Sequence, residues 1–103
     1  MTTRHGGADR VSTKAKLAPE LKILGEVMAA AREKAGIKQS DLAARLGLPA
    51  SYLSKIENGT RRLDVIELVR IAAAMDSDPA GIIEELMQRI TGSAPQETPR
   101  GSR

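Results

Sequence analysis

Residues 39–59 read QSDLAARLGLPASYLSKIENG, and the organisation of the chain follows from how this stretch divides at Gly47. Before the glycine, Leu42, Ala43 and Leu46 recur at helical spacing; after it, Leu53 and Ile56 do the same. The spacing predicts a short helix from about Gln39 to Leu46 and another from about Pro49 to Asn58. Gly47 closes the first, and Pro49 suits an initial turn, where its missing N–H would have no partner. With only Gly47 and Leu48 between them, the two helices must cross steeply. Ala43 then has to be small where the backbones approach, and Leu46, Leu53 and Ile56 fill the angle.

The other side chains of the second of these helices point outward: Ala50, Ser51 and Ser54 are short, and Lys55 is a long cation one turn after Ser51. A helix with a slim leading end and polar groups behind it suits a groove about 12 Å wide whose floor carries hydrogen-bonding base edges.

On the N-terminal side, Leu21, Leu24, Val27, Met28, Ala31 and Ala35 predict a helix from Pro19 to Ala35, stopped by Gly36. On the C-terminal side, Asp64 with Glu67 three residues later forms a capping-box pattern, and Val65, Leu68, Val69, Ala72 and Met75 make the stripe that follows. Asp78-Pro79 opens a last helix, with Ile82, Ile83, Leu86, Met87 and Ile90 at three- and four-residue intervals and Gly92 as its end. No period-two alternation marks a strand, so the expected class is all-α: five short helices around one core. Residues 1–18 and 92–103 are rich in Gly, Ser, Thr, Pro and charge and are expected to be flexible tails about a folded domain at 19–91. The basic N-terminal segment, with Arg4, Arg10, Lys14 and Lys16, reads either as an arm along a polyanion or as solubilising disorder; disorder is the expectation.

Composition agrees. A chain of 103 residues buries one modest core. With no Cys, there are no disulfides, iron–sulfur clusters or thiolate zinc sites; with no Phe or Trp, the core is aliphatic. No apolar run approaches the length of a membrane span and the start lacks a secretion signal, which leads us to expect a soluble, cytoplasmic protein. The net charge of +3 is unevenly placed: residues 38–62 carry +3 and residues 63–90 carry −4. Such asymmetry fits one face meeting a polyanion, or equally a solvated surface.

The segment KQSDLAARLGLPASYLSKIENGTRRLDVIELVRIAAAM resembles the Cro and phage-repressor type of helix-turn-helix, the XRE-type family. The residues that carry the likeness are Gln39, Leu42-Ala43, Leu46-Gly47, Ser54, Ile56-Glu57-Asn58-Gly59 and Ile71-Ala72. It covers roughly residues 21–90. The resemblance implies a compact five-helix, lambda-repressor-like domain whose third helix enters the major groove of double-stranded DNA. It implies base-reading roles for Ala50, Ser51 and Lys55, with Ser54 adjacent, and phosphate contacts by Gln39, Asn58, Arg61 and Arg62. Two positions depart from the pattern. Lys38 stands where Thr or Ser often caps, giving up about 1 kcal/mol but adding a cation for phosphate, and Pro49 replaces a hydroxyl residue. Ala50 offers only a methyl group, so Lys55 is the candidate reader of guanine.

Several of these residues also have plainer readings. Tyr52 either offers its hydroxyl to a phosphate or packs, partly buried, inside the domain. Glu57 is misplaced for DNA affinity and is expected to pair with an arginine of the domain. His5 stands alone, without a Cys or second His for a metal. The fifth helix carries more apolar surface than a terminal element needs, so Ile82, Ile83, Leu86, Met87 and Ile90 form a candidate dimer surface.

The expected function is a sequence-specific DNA-binding transcriptional regulator, a repressor acting as a homodimer on an inverted repeat. The alternative is an antitoxin-like interaction module that covers a partner protein and regulates its own operon. No paired carboxylates, Ser-His-Asp set or phosphate loop suggests an enzyme, and no cofactor, metal or small-molecule substrate is expected.

Overall fold

The computed structural model describes residues 5–92, with side chains from residue 18 onward. Five helices follow one another: α1 (His5–Lys34), α2 (Gln39–Leu46), α3 (Ala50–Glu57), α4 (Val65–Ala74) and α5 (Pro79–Thr91). No strand occurs among the described residues. The all-α expectation therefore holds.

The first helix corrects the sequence reading. It begins at His5, not Pro19, and Pro19 lies inside it, so most of the expected N-terminal tail is helical. An interior proline costs about 3 kcal/mol because it lacks an N–H and crowds the preceding turn. Residues 8–18, ADRVSTKAKLA, contain neither Gly nor Pro, and extending a helix that already exists adds one hydrogen bond per residue without a new nucleus. The expectation for 92–103 falls almost wholly outside the described residues.

Four helices end on one device. After α1, the Ile37 N–H reaches the Arg32 carbonyl at 3.2 Å and the Gly36 N–H that of Glu33 at 2.9 Å, the paired bonds of a Schellman turn. The same pairing recurs after α2 at Gly47, after α3 at Gly59 and after α4 at Asp76. The left-handed residue is glycine in the first three, whereas Asp76 adopts φ 55° despite its side chain. The start of α4 is as the sequence predicts: Asp64 Oδ1 accepts from the Glu67 N–H at 2.7 Å while Glu67 Oε1 accepts from the Asp64 N–H at 2.9 Å. Asp78 caps α5 by accepting from the Ala80 N–H at 3.0 Å. Pro49 turns out to be the N-cap of α3 instead of a residue of its first turn.

The core gathers Val27 and Met28 of α1, Leu42 and Ala43 of α2, Leu53 and Ile56 of α3, Leu68, Ile71 and Ala72 of α4, Met75 just after it, and Ile82 of α5. The α4 stripe is rotated from its expectation. Val65 is 70% exposed and Val69 46%, while Ile71 is buried. At about 100° per residue, Leu68, Ile71, Ala72 and Met75 share one arc and Val69 stands roughly a right angle from its centre. Gly25 of α1 is buried against the end of α3: a Cβ there would sit 2.6 Å from the Ile56 carbonyl oxygen and nearer still to that of Glu57. Periodicity gave no sign of that contact.

Candidate nucleic-acid interface

The geometry of α3 settles which of its side chains are available. Leu53 and Ile56 are buried, and they hold the helix by one side. Ala50, Ser51 and Lys55 are exposed, with Ser54 half-buried beside them. Lys55 forms no ion pair among the described residues, so its ammonium is free to reach outward. Gly47 at φ 71° makes the sharp turn that brings α2 to α3, and the Leu48 N–H bonds back to the Ala43 carbonyl at 2.9 Å.

The candidate backbone contacts stand in two different situations. Lys38, Asn58 and Arg62 are exposed, with no ion pair among the described residues. Lys38 is the N-cap of α2 and supplies no side-chain cap, so the first amides of α2 stay unsatisfied by it. Gln39 and Arg61, by contrast, are engaged internally. Gln39 donates through Nε2 to Glu57 Oε1 at 2.8 Å. Arg61 stacks over the Tyr52 ring, 4.5 Å from its centroid, and its Nη1 lies 3.2 Å from Glu67 Oε2.

Two carboxylates organise these contacts. Glu57, as expected, pairs inside the domain: Arg32 Nε reaches Oε2 at 2.7 Å and Arg32 Nη2 reaches Oε1 at 3.1 Å, while Arg32 Nη1 donates to the Ile37 carbonyl at 2.8 Å. The hydrogen bond to Glu57 raises the Arg32 pKa further. Glu67 is the second. The Tyr52 hydroxyl donates to its Oε2 at 3.0 Å, which makes Tyr52 a half-buried packing residue with a satisfied hydroxyl. Burial, and then this hydrogen bond, push the Tyr52 pKa up to about 12. The backbone bond from Asp64 holds Glu67 below the usual carboxylate range. The sequence marked Glu67 only as a cap; nothing in its spacing showed that it also meets Tyr52 and Arg61.

The candidate dimer surface divides. Ile82 is 6% exposed and belongs to the core, and Leu86 is partly buried against that core. Ile83, Met87 and Ile90 remain exposed at 38%, 48% and 41%. Val65, Ile66 and Val69 on α4 form an exposed apolar group that the sequence reading did not assign to a surface. An open groove of about 670 Å³ between α1 and α5 is floored by Val27, Ala31, Met75 and Ile82. No group of three His, Cys, Asp or Glu able to hold a metal occurs among the described residues.

A short turn, Gly47 to Pro49, between an inward-packed helix and an outward-facing one, inside a five-helix core, defines a helix-turn-helix domain. The chain belongs to the XRE-type helix-turn-helix family, whose pattern it matches over residues 28–82. It is 39% identical over 61 residues to the HTH-type transcriptional regulator y4dL of Sinorhizobium fredii; the match takes in 59% of this chain but only 31% of that protein. Among solved structures it is similar to an XRE-family like protein from Pseudomonas syringae pv. tomato, with 40% identity and a TM-score of 0.65 over 76% of this chain and 95% of the other. The restriction-modification controller protein C.AhdI from Aeromonas hydrophila matches with 27% identity and a TM-score of 0.60, over 64% of this chain and 96% of its own.

Proposed function

We propose that the chain is a sequence-specific DNA-binding transcriptional repressor that acts as a homodimer on an inverted repeat, with α3 in the major groove. The observation that carries this reading is the separation of faces on α3: Leu53 and Ile56 do its packing, and Ala50, Ser51 and Lys55 stand clear. In this reading Lys55 donates to guanine, Ser51 and Ser54 reach neighbouring base edges, and the Ala50 methyl meets a thymine methyl. Lys38, Asn58 and Arg62 contact phosphates, joined by the open amides at the start of α2. Gln39 helps hold that start against Glu57, and the second copy docks through Ile83, Met87 and Ile90. The protein binds and does not catalyse, and it works in the cytoplasm, in keeping with the lack of any membrane-spanning helix among the described residues. Similarity to an HTH-type transcriptional regulator and a restriction-modification controller supports the regulatory role.

Selection of bound duplexes from a random pool tests the reading. The expected result is an enriched palindrome with half-sites about 34 Å apart, one helical turn. A pool that stays random after repeated rounds would overturn it. The exposed row Ile83, Met87 and Ile90 also supports a second reading, in which α5 covers a partner protein in the manner of an antitoxin. Co-purification of a partner at unit stoichiometry favours that reading, and a stable isolated homodimer opposes it.

A further inference from the structure

The two arginine–carboxylate pairs in this domain differ in a way that assigns them different tasks. Arg32 gives Glu57 both Nε and Nη2, so its fork is closed and its remaining Nη1 is spent on the Ile37 carbonyl. Arg61 meets Glu67 through Nη1 alone, the same nitrogen that donates to the Arg62 carbonyl at 2.8 Å. Nε and Nη2 of Arg61 have no hydrogen-bond partner among the described residues, and the side chain is 38% exposed. One edge of the guanidinium is anchored, its face lies on the Tyr52 ring, and the other edge is open.

Glu67 itself is immobilised: Oε1 accepts from the Asp64 N–H, and Oε2 accepts from the Tyr52 hydroxyl and faces Arg61. We propose that Glu67 is the positioning residue for a DNA-backbone contact, fixing Arg61 by one edge so that its Nε–Nη2 edge is presented, already ordered, to a phosphate. The proposal rests on the DNA-binding reading and deepens it. A free arginine loses much rotamer entropy when it grips a phosphate; an arginine already stacked and anchored loses less. A carboxylate whose task was to mask Arg61 would close the fork, as Glu57 does to Arg32. Its stacking on Tyr52 holds the Arg61 guanidinium against α3, the helix that carries the base-reading row.

Electrostatics alone predicts the opposite sign. Removing a carboxylate near a polyanion should tighten binding and steepen the salt dependence. Positioning predicts that Glu67→Gln, which keeps an oxygen for the Asp64 N–H, weakens binding roughly three- to tenfold. It predicts further that this loss disappears in an Arg61→Ala background, because Glu67 acts through Arg61. The experiment is a double-mutant cycle on the full chain with a duplex taken from the selection, read by fluorescence anisotropy with labelled DNA, with thermal melts run in parallel.

A purely structural role would lower the melting temperature and weaken binding equally in both backgrounds, and that result overturns the proposal. Tighter binding by Glu67→Gln overturns it as well. Should Glu67→Gln fail to fold, Tyr52→Phe removes one anchor of Oε2 and leaves the capping box intact. Its loss should likewise vanish with Arg61→Ala, and a loss that persists there overturns the idea. A wild-type chain that binds no duplex overturns the DNA-binding reading and this proposal together, whereas wild-type binding without coupling overturns this proposal alone.

Discussion

Arg32 on α1 and Glu57 at the end of α3 are joined by a two-pronged ion pair of 2.7 and 3.1 Å, with side chains only 14% and 8% exposed. With Gln39 donating to the same carboxylate, the pair ties α1 to the start of α2 and the end of α3, the ends of those two helices away from the Gly47 corner. A desolvated pair of this kind is most costly when half of it is removed. Arg32→Met should destabilise the domain by about 3 to 5 kcal/mol, since Glu57 is left charged and unpaired. Arg32→Met with Glu57→Leu should recover much of that loss. Chemical denaturation of the two variants decides the matter, and equal stability of the single and double variants would contradict it.

Gly25 predicts a second loss. A methyl group there must displace the backbone of α3, because the nearest atoms are the carbonyl oxygens of Ile56 and Glu57 and not the ends of flexible side chains. Gly25→Ala should cost about 1 to 3 kcal/mol, opposite to the gain expected for this change in an open helix interior. The control is Gly81→Ala on α5, where no atom lies within reach of an added Cβ. A Gly25→Ala protein as stable as wild type would show that α1 and α3 can separate freely.

Tyr52 is the only aromatic residue of the chain, so phenolate absorbance reports on it alone. It should titrate at about 12 against an ordinary 10.0. The folded value is the higher one, so the stability it contributes is fully present below pH 10.0 and is lost as pH rises through about 12. Titration in the Glu67→Gln variant should move down towards the ordinary value, because one of the causes has been removed. The same absorbance change at pH 10 in wild type and variant would contradict the assignment.

Lys55 and Arg62 are both exposed cations, yet they should fail differently. Lys55→Ala should relax preference at one base pair, costing about 1 to 3 kcal/mol there and little elsewhere. Arg62→Ala should weaken all sequences alike and reduce the salt slope by about 1. Binding of a family of single-base operator variants, measured at several salt concentrations, separates the two outcomes. Uniform loss for Lys55→Ala would move it to the backbone contacts.

Local rules carried the sequence reading a long way and then stopped at distances a local pattern does not encode. Asp64 and Glu67 sit three residues apart, and Gly47 must be left-handed wherever two helices are joined by so short a link, so caps and corner were legible. The outward row of α3 followed from Leu53 and Ile56 by helical geometry. Pro19 has the look of a helix start and yet lies inside α1, because the residues before it also favour helix. Val65 and Val69 are not told from core residues by pattern, because several registers of an apolar stripe fit α4, and only packing against α2 and α5 chooses between them. Gly25 and the meeting of Tyr52, Arg61 and Glu67 depend on residues brought together across the fold. The internal partners of Arg61 and Gln39, which are Glu67 and Glu57, are not legible either, because each lies on another helix.

Pro49 and Gly47 leave the connection before α3 almost no slack, and the Schellman turn at Gly59 pins its exit just as firmly. The outward positions of that short rod are thus free of architectural duty. A lineage that exchanges Ala50, Ser51 or Lys55 keeps its scaffold intact, so the address such a protein recognises is able to drift far faster than the shape that presents it.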